Sequence, residues 1–190
     1  MPYGKYGDTF EECTAAVSSW SDDPGGFCNW IHTQITGEPP GKGRKDSVIA
    51  SAGKDSPVFL SMEFPHPTAD KKLPTELLLF KYGTTGTVNG DYDCDEDSMY
   101  RVLHNAMEYG NKLTFDYEHQ ALNSEENGQP APSAGTFSLY LKKGIGLYAT
   151  NIKWTDRAAE YLKSGEYLYY SPAFTADEDG SPNRLLNIAL

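Results

Sequence analysis

The chain has 190 residues, with 16 Lys and Arg against 27 Asp and Glu, a formal charge of −11 and an isoelectric point near 4.7. That length suits one ordinary domain with at most a small appendage, and that charge repels a phosphate backbone, so nucleic acid is not an expected partner. No apolar run approaches the ~18 residues of a membrane span, the early acids Asp8, Glu11 and Glu12 leave no secretory leader, and three cysteines close no disulfide framework, so the expectation is a soluble cytosolic protein with reduced thiols.

Thirteen Tyr and eight Phe favour strands and an aromatic core, hence a β-rich α+β fold. Thr9 and Glu12 stand at capping-box spacing and predict a helix to about Trp20. Pro24 suits a helix start; a second helix, Phe27 to Thr36, stops at Gly37. Cys13 and Cys28 are expected as buried thiols between the two helices. A zinc site built from them and His32 lacks a fourth ligand. Gly37 to Asp46 is rich in Pro, Gly and charge and predicts a linker. The chain therefore divides into a helical hairpin (1–38), a linker (39–56) and a main domain (57–190). Val58 to Met62 and Leu77 to Tyr82 predict strands, and Asp95 to Ser98 opens a helix that Gly110 ends. Leu113 to His119 alternates as a strand, and Asn123 to Ala134 reads as a polar loop. Strands follow at Thr136 to Leu141 and Gly146 to Trp154, then a helix capped by Thr155, Asp156 to Lys163, and strands at Tyr167 to Phe174 and Asn183 to Leu190. The chain stops inside this last apolar run, so further sequence after Leu190 is expected.

Several residue groups invite a chemical reading. Asp91 to Asp97 imitates the start of a calcium loop, but Glu96 stands where Gly makes the sharp turn and Val102 where a bidentate Glu belongs. A solvated acidic turn feeding a helix is the simpler reading; a calcium-binding module is the competing one. His66, between two prolines, and His104 have no partner nearby in sequence and read as surface or turn residues. Lys42, Arg44 and Lys45 make too short a basic spot for a nucleic-acid patch. No cofactor or metal is called for. His119 and Ser171 both fall late in predicted strands, where pairing would let them meet. A serine becomes a nucleophile at neutral pH only beside a base.

The surroundings of those two residues carry a resemblance. Thr114-Phe115-Asp116-Tyr117-Glu118-His119-Gln120 resembles the hydrophobic-Asp-Tyr-Glu/Asp-His segment of the Mu-like phage protease I family. Pro132-Ser133-Ala134-Gly135, Gly146-Leu147-Tyr148-Ala149 with Trp154-Thr155, Glu166 through Tyr170-Ser171-Pro172-Ala173-Phe174, and Leu185 to Leu190 are similar to further segments of that family, in the same order. Phe10, Cys13, Phe27-Cys28 and Trp30-Ile31-His32 more loosely resemble a small helical module of phage head proteins.

The resemblance implies a prohead maturation protease of a tailed phage, related to the herpesvirus assemblins. The implied fold is a closed or nearly closed β-barrel ringed by helices, with Ser171 as nucleophile and His119 as base. In assemblins a second histidine after the nucleophile completes the set. None follows Ser171 here, and Asp116, Glu118 and Asn187 stay open as the third member. On a straight strand Asp116 and Glu118 face away from His119, so either would need a bend. Gly135 is a candidate oxyanion donor, or simply the start of a strand. The implied substrates are the phage scaffold, the major capsid protein precursor and the protease itself. Val48 to Gly53, around Ala50-Ser51, reads as a self-cleavage site or as ordinary linker. A homodimer follows by analogy, and the implied location is the bacterial host cytoplasm, inside the assembling prohead, from a phage or prophage gene. The competing function is a non-catalytic head-assembly or scaffolding protein on the same fold.

Overall fold

The computed structural model describes residues 2–37, 54–65, 72–87, 90–177 and 180–190. A short 3-10 turn (Gly4–Tyr6) leads into α1 (Phe10–Val17) and α2 (Pro24–Thr36). The capping box forms: Glu12 N–H donates to Thr9 Oγ1, and Thr9 N–H donates to the Glu12 carboxylate. α2 begins at Pro24 rather than Phe27, because the Asp23 carboxylate accepts the Gly26 N–H and caps it. Gly37, at φ 73°, ends it in the left-handed region. Cys13 and Cys28 are not free thiols: they form a disulfide, their Cα atoms 6.0 Å apart on facing helices. Cys94 is free and buried.

The remaining elements are β1 (Lys54–Phe59), β2 (Met62–Glu63), β3 (Leu77–Lys81), β4 (Gly83–Thr87), β5 (Gly90–Cys94), α3 (Glu96–Glu108), β6 (Leu113–Asp116), α4 (Gln120–Asn127), β7 (Gly135–Lys142), β8 (Gly146–Trp154), α5 (Asp156–Ser164), β9 (Tyr169–Ala176) and β10 (Pro182–Ala189). The fold is mixed α+β. Its main sheet runs β1-β9-β10-β6-β7-β8-β3, with β2 added beside β9. β10 and β6 run parallel; the other pairs are antiparallel. β7 alternates buried and half-buried residues along its whole length, the pattern of a strand with one face in the core.

The expected closed or nearly closed barrel is not what forms. Among the described residues β1 and β3 do not pair, and the sheet is a curled half-barrel. Side chains fill the opening instead of a ladder. The Tyr170 hydroxyl reaches from β9 to donate to Leu78 O at 2.6 Å, and Phe64 lies against Trp154 and Tyr170. α3 packs on β10 and β7. The hairpin docks on α3 through Phe27 against Tyr100 and Trp30 against His104. Backbone bonds between Leu141 and both Trp20 and Asp22 tie its turn to the end of β7.

Four further expectations change. The acids of Asp91–Asp97 are not a free turn: Asp91 and Asp93 lie on β5, paired with β4, and Asp95 caps α3 by accepting the Ser98 N–H. The polar loop from Asn123 begins as a helix, α4, whose exposed residues bury no face. The strand through His119 ends at Asp116. The segments holding Lys42, Arg44, Lys45, His66 and Val48 to Gly53 lie outside the described residues. His104 is half-buried, not a surface residue; burial lowers its proton affinity, and Nδ1 lies 3.0 Å from the Tyr6 hydroxyl.

Candidate active site

Strands β9, β10 and β6 lie side by side, and their register sets one row across the sheet: Ser171 opposite Ala189, and Ala189 opposite Asp116. β6 then breaks. Glu118 and His119 take φ values of 53° and 54°, a left-handed pair without glycine. Each costs about 1 kcal/mol or more. Local bonds offset this: Ala121 N–H donates to Asp116 Oδ2 at 2.7 Å, and Glu118 N–H donates to Leu190 O at 3.2 Å. The bend carries His119 from the end of β6 over β10 towards β9.

There its imidazole bridges two strands. Nε2 lies 2.8 Å from Ser171 Oγ, and Nδ1 lies 2.8 Å from Asn187 Oδ1. The Asn187 amide donates in turn to Asp116 Oδ2 at 2.8 Å. Phe59 of β1 packs on the imidazole with ring centroids 4.7 Å apart. An amide oxygen only accepts, so Nδ1 carries the hydrogen and Nε2 presents its lone pair to Ser171. Asp116 is buried, and burial holds its carboxyl above the usual range. The Ala121 N–H, His119 and the Asn187 amide pull the other way.

A cleft of about 470 Å³ opens over the pair, walled by Tyr167, Leu168, Tyr169 and Leu190. Leu168 and Tyr169 are exposed there and add apolar surface to the cleft wall. A second hollow of about 580 Å³ adjoins it, sharing Glu118, Glu166 and Tyr167 and adding Tyr117, Tyr161 and Arg157.

Four of the residues singled out from sequence, Ser171, His119, Asn187 and Asp116, thus come together. Glu118 is exposed on the cleft wall and makes no bond to His119 among those found. Gly135 lies elsewhere. Strands β10 and β6 separate β7 from β9, and three strand spacings make about 14 Å, far beyond hydrogen-bond reach of an oxyanion on Ser171. Its N–H donates to Ser133 Oγ, and a Cβ there would meet Lys153 O at 2.7 Å, so the glycine serves strand packing. Sequence reasoning missed Phe59, Leu168 and Tyr169 as parts of the site. For Leu168 and Tyr169 the early sign was two large side chains in succession where the strand β9 begins; Phe59 gave none.

Residues 77–190 match the family model described as Mu-like prophage I protein, N-terminal domain. The chain belongs to that family. Membership places it among phage and prophage proteins, and the matched span holds all four clustered residues. The Mu-like prophage FluMu I protein of Haemophilus influenzae is 30% identical over 98 residues, which cover 47% of this chain and 27% of that relative. The chain therefore corresponds to well under half of that family member. No solved structure matches it. Among the described residues no helix is long and apolar enough to cross a membrane.

Proposed function

We propose that this chain is a serine endopeptidase of phage head maturation, with Ser171 as nucleophile, His119 as general base and Asn187 as the third member. The observation that carries the reading is the imidazole held between Ser171 Oγ and Asn187 Oδ1 at 2.8 Å on each side. In this scheme His119 Nε2 takes the Ser171 proton as Oγ attacks the scissile carbonyl. The tetrahedral intermediate collapses as Nε2–H protonates the leaving amine. Water, deprotonated by the same nitrogen, then hydrolyses the acyl ester and restores the serine.

The substrates under this reading are the phage scaffold, the major capsid protein precursor and the protease itself, cut inside the prohead in the host cytoplasm. A cleft over the serine that adjoins a second hollow away from it suits an extended polypeptide better than a small ester. Homodimerisation and kinship with the assemblins belong to the same reading and rest on the sequence resemblance.

The test is cleavage of purified capsid precursor and scaffold. Ser171→Ala is expected to lower the rate on the order of 10⁶-fold, while its stability stays within about 0.5 kcal/mol of the parent. Undiminished processing by the variant would leave a non-catalytic head-assembly protein as the reading.

A further inference from the structure

We propose that Asp116 is a positioning residue that decides which nitrogen of His119 carries the proton, acting through the side-chain amide of Asn187. The consequence for rate rests on the endopeptidase reading; the tautomer itself does not.

An imidazole offers a donor at one nitrogen and an acceptor at the other, in either order. A primary amide likewise has a donor end and an acceptor end and is free to turn over. His119 and Asn187 alone would satisfy each other in both arrangements. In one, Nδ1–H faces Oδ1 and Nε2 is a base. In the other, the amide NH₂ faces a bare Nδ1, and Nε2–H points at Ser171 and is unable to take its proton.

An ionised carboxylate breaks the tie because it only accepts. Asp116 Oδ2 receives the Ala121 N–H at 2.7 Å and the Asn187 amide at 2.8 Å. The NH₂ group of Asn187 must therefore face Asp116, which turns Oδ1 to His119 Nδ1, 2.8 Å away. The Nδ1 hydrogen is then required, and the Nε2 lone pair falls on Ser171 Oγ. Each link leaves one choice for the next.

Two features suit a functional carboxylate more than a stabilising one. Asp116 is 2% exposed and Asn187 6%, so bulk water does not compete for the amide. Asp116 Oδ1 is buried with no hydrogen-bond partner among the described residues, an uncomfortable place for a charge and one that invites a functional reason. The parallel β6–β10 pair fixes the spacing, with Ala189 opposite Asp116 two residues beyond Asn187.

The test reads the tautomer by ¹⁵N NMR of the His119 ring, at a pH where the ring is neutral, with no substrate present. The parent protein is expected to show the Nδ1–H form. Asp116→Asn, whose new amide can donate, is expected to release the order and populate the Nε2–H form. Where cleavage is measurable, kcat should fall on the order of 10²- to 10⁴-fold, with KM changed less than about twofold. The double variant Asp116→Asn with Asn187→Asp puts the acceptor-only group directly against Nδ1 and should recover the Nδ1–H form and much of kcat, which a merely structural role would not predict. An Nε2–H tautomer in the parent would overturn the proposal even if Asp116→Asn fails to fold, and so would an unmoved tautomer and kcat in a folded Asp116→Asn. A tautomer that switches in a protein without cleavage activity would keep the relay and remove the endopeptidase.

Discussion

In the helical hairpin the buried side chains of the two helices are Cys13, Val17, Phe27, Cys28 and Ile31; at the corner formed by β6, β9 and β10 they include the polar Asp116 and Asn187. Phe27 touches Tyr6, Trp30 and Tyr100 through ring contacts that tolerate small shifts, whereas Asn187 has one useful orientation. Apolar packing has no direction and many partners, so losing one contact gives a graded loss of stability. A chain of hydrogen bonds is directional, so losing one link disables the chain while the fold survives. The hairpin should accordingly fail by softening, and the corner by ceasing to act.

The largest break should come where the two regions share a support. Arg101 on α3 forms an ion pair with the buried Asp177 that follows β9, while the same helix carries Tyr100 and His104 under the hairpin. Arg101→Met would strand a buried carboxylate and is expected to cost about 3–5 kcal/mol in urea unfolding, with hairpin protection and the proposed cleavage lost together.

Reducing the Cys13–Cys28 bond, which closes 15 residues of chain, should cost about 3 kcal/mol. Here the regions should part company. Amide exchange in α1 and α2 should speed up, while the His119 and Ser171 signals and the cleavage rate hold. Loss of cleavage on reduction would mean that the hairpin supports the corner.

A smaller effect should appear beside the serine. Burial pushes the Tyr170 hydroxyl from an ordinary 10.0 up to about 12, and it donates to Leu78 O. Its folded value exceeds its unfolded one, so its stabilising effect is complete below pH 10 and is lost as pH rises through 12. Tyr170→Phe should cost about 1 kcal/mol at neutral pH and melt with a flatter alkaline limb than the parent. Equal slopes from pH 10 to 12 would refute this.

Much of the frame was legible because its signals are local. Thr9, Thr155, Gly37 and Gly165 cap helices through their own side chains or their left-handed tolerance, and β7 shows its buried face by alternation. What stayed hidden depends on distant partners. α4 starts from His119 without a side-chain cap and buries nothing, so no periodic stripe marks it. β4 and β5 interleave Thr, Tyr92 and Cys94 with Gly and Asp, which are depleted from strands, so neither stands out until the two pair. The bend at Glu118 and His119 puts two ordinary residues in a conformation that sequence alone rarely betrays, and without it neither Asp116 nor Asn187 could serve His119. The Ser–His pair was named on a family likeness; its link to Asn187 and Asp116 needed the register of three strands.

One consequence follows from the parallel pairing of β6 with β10. Asn187 arrives on β10, 68 positions after the histidine it orients. A chain still emerging from the ribosome holds the imidazole long before its guide, and the hydroxyl of Ser171 follows only shortly ahead of that guide. Under the endopeptidase reading, this wiring is a timing device: the blade stays unset until synthesis has passed the strand that sets it.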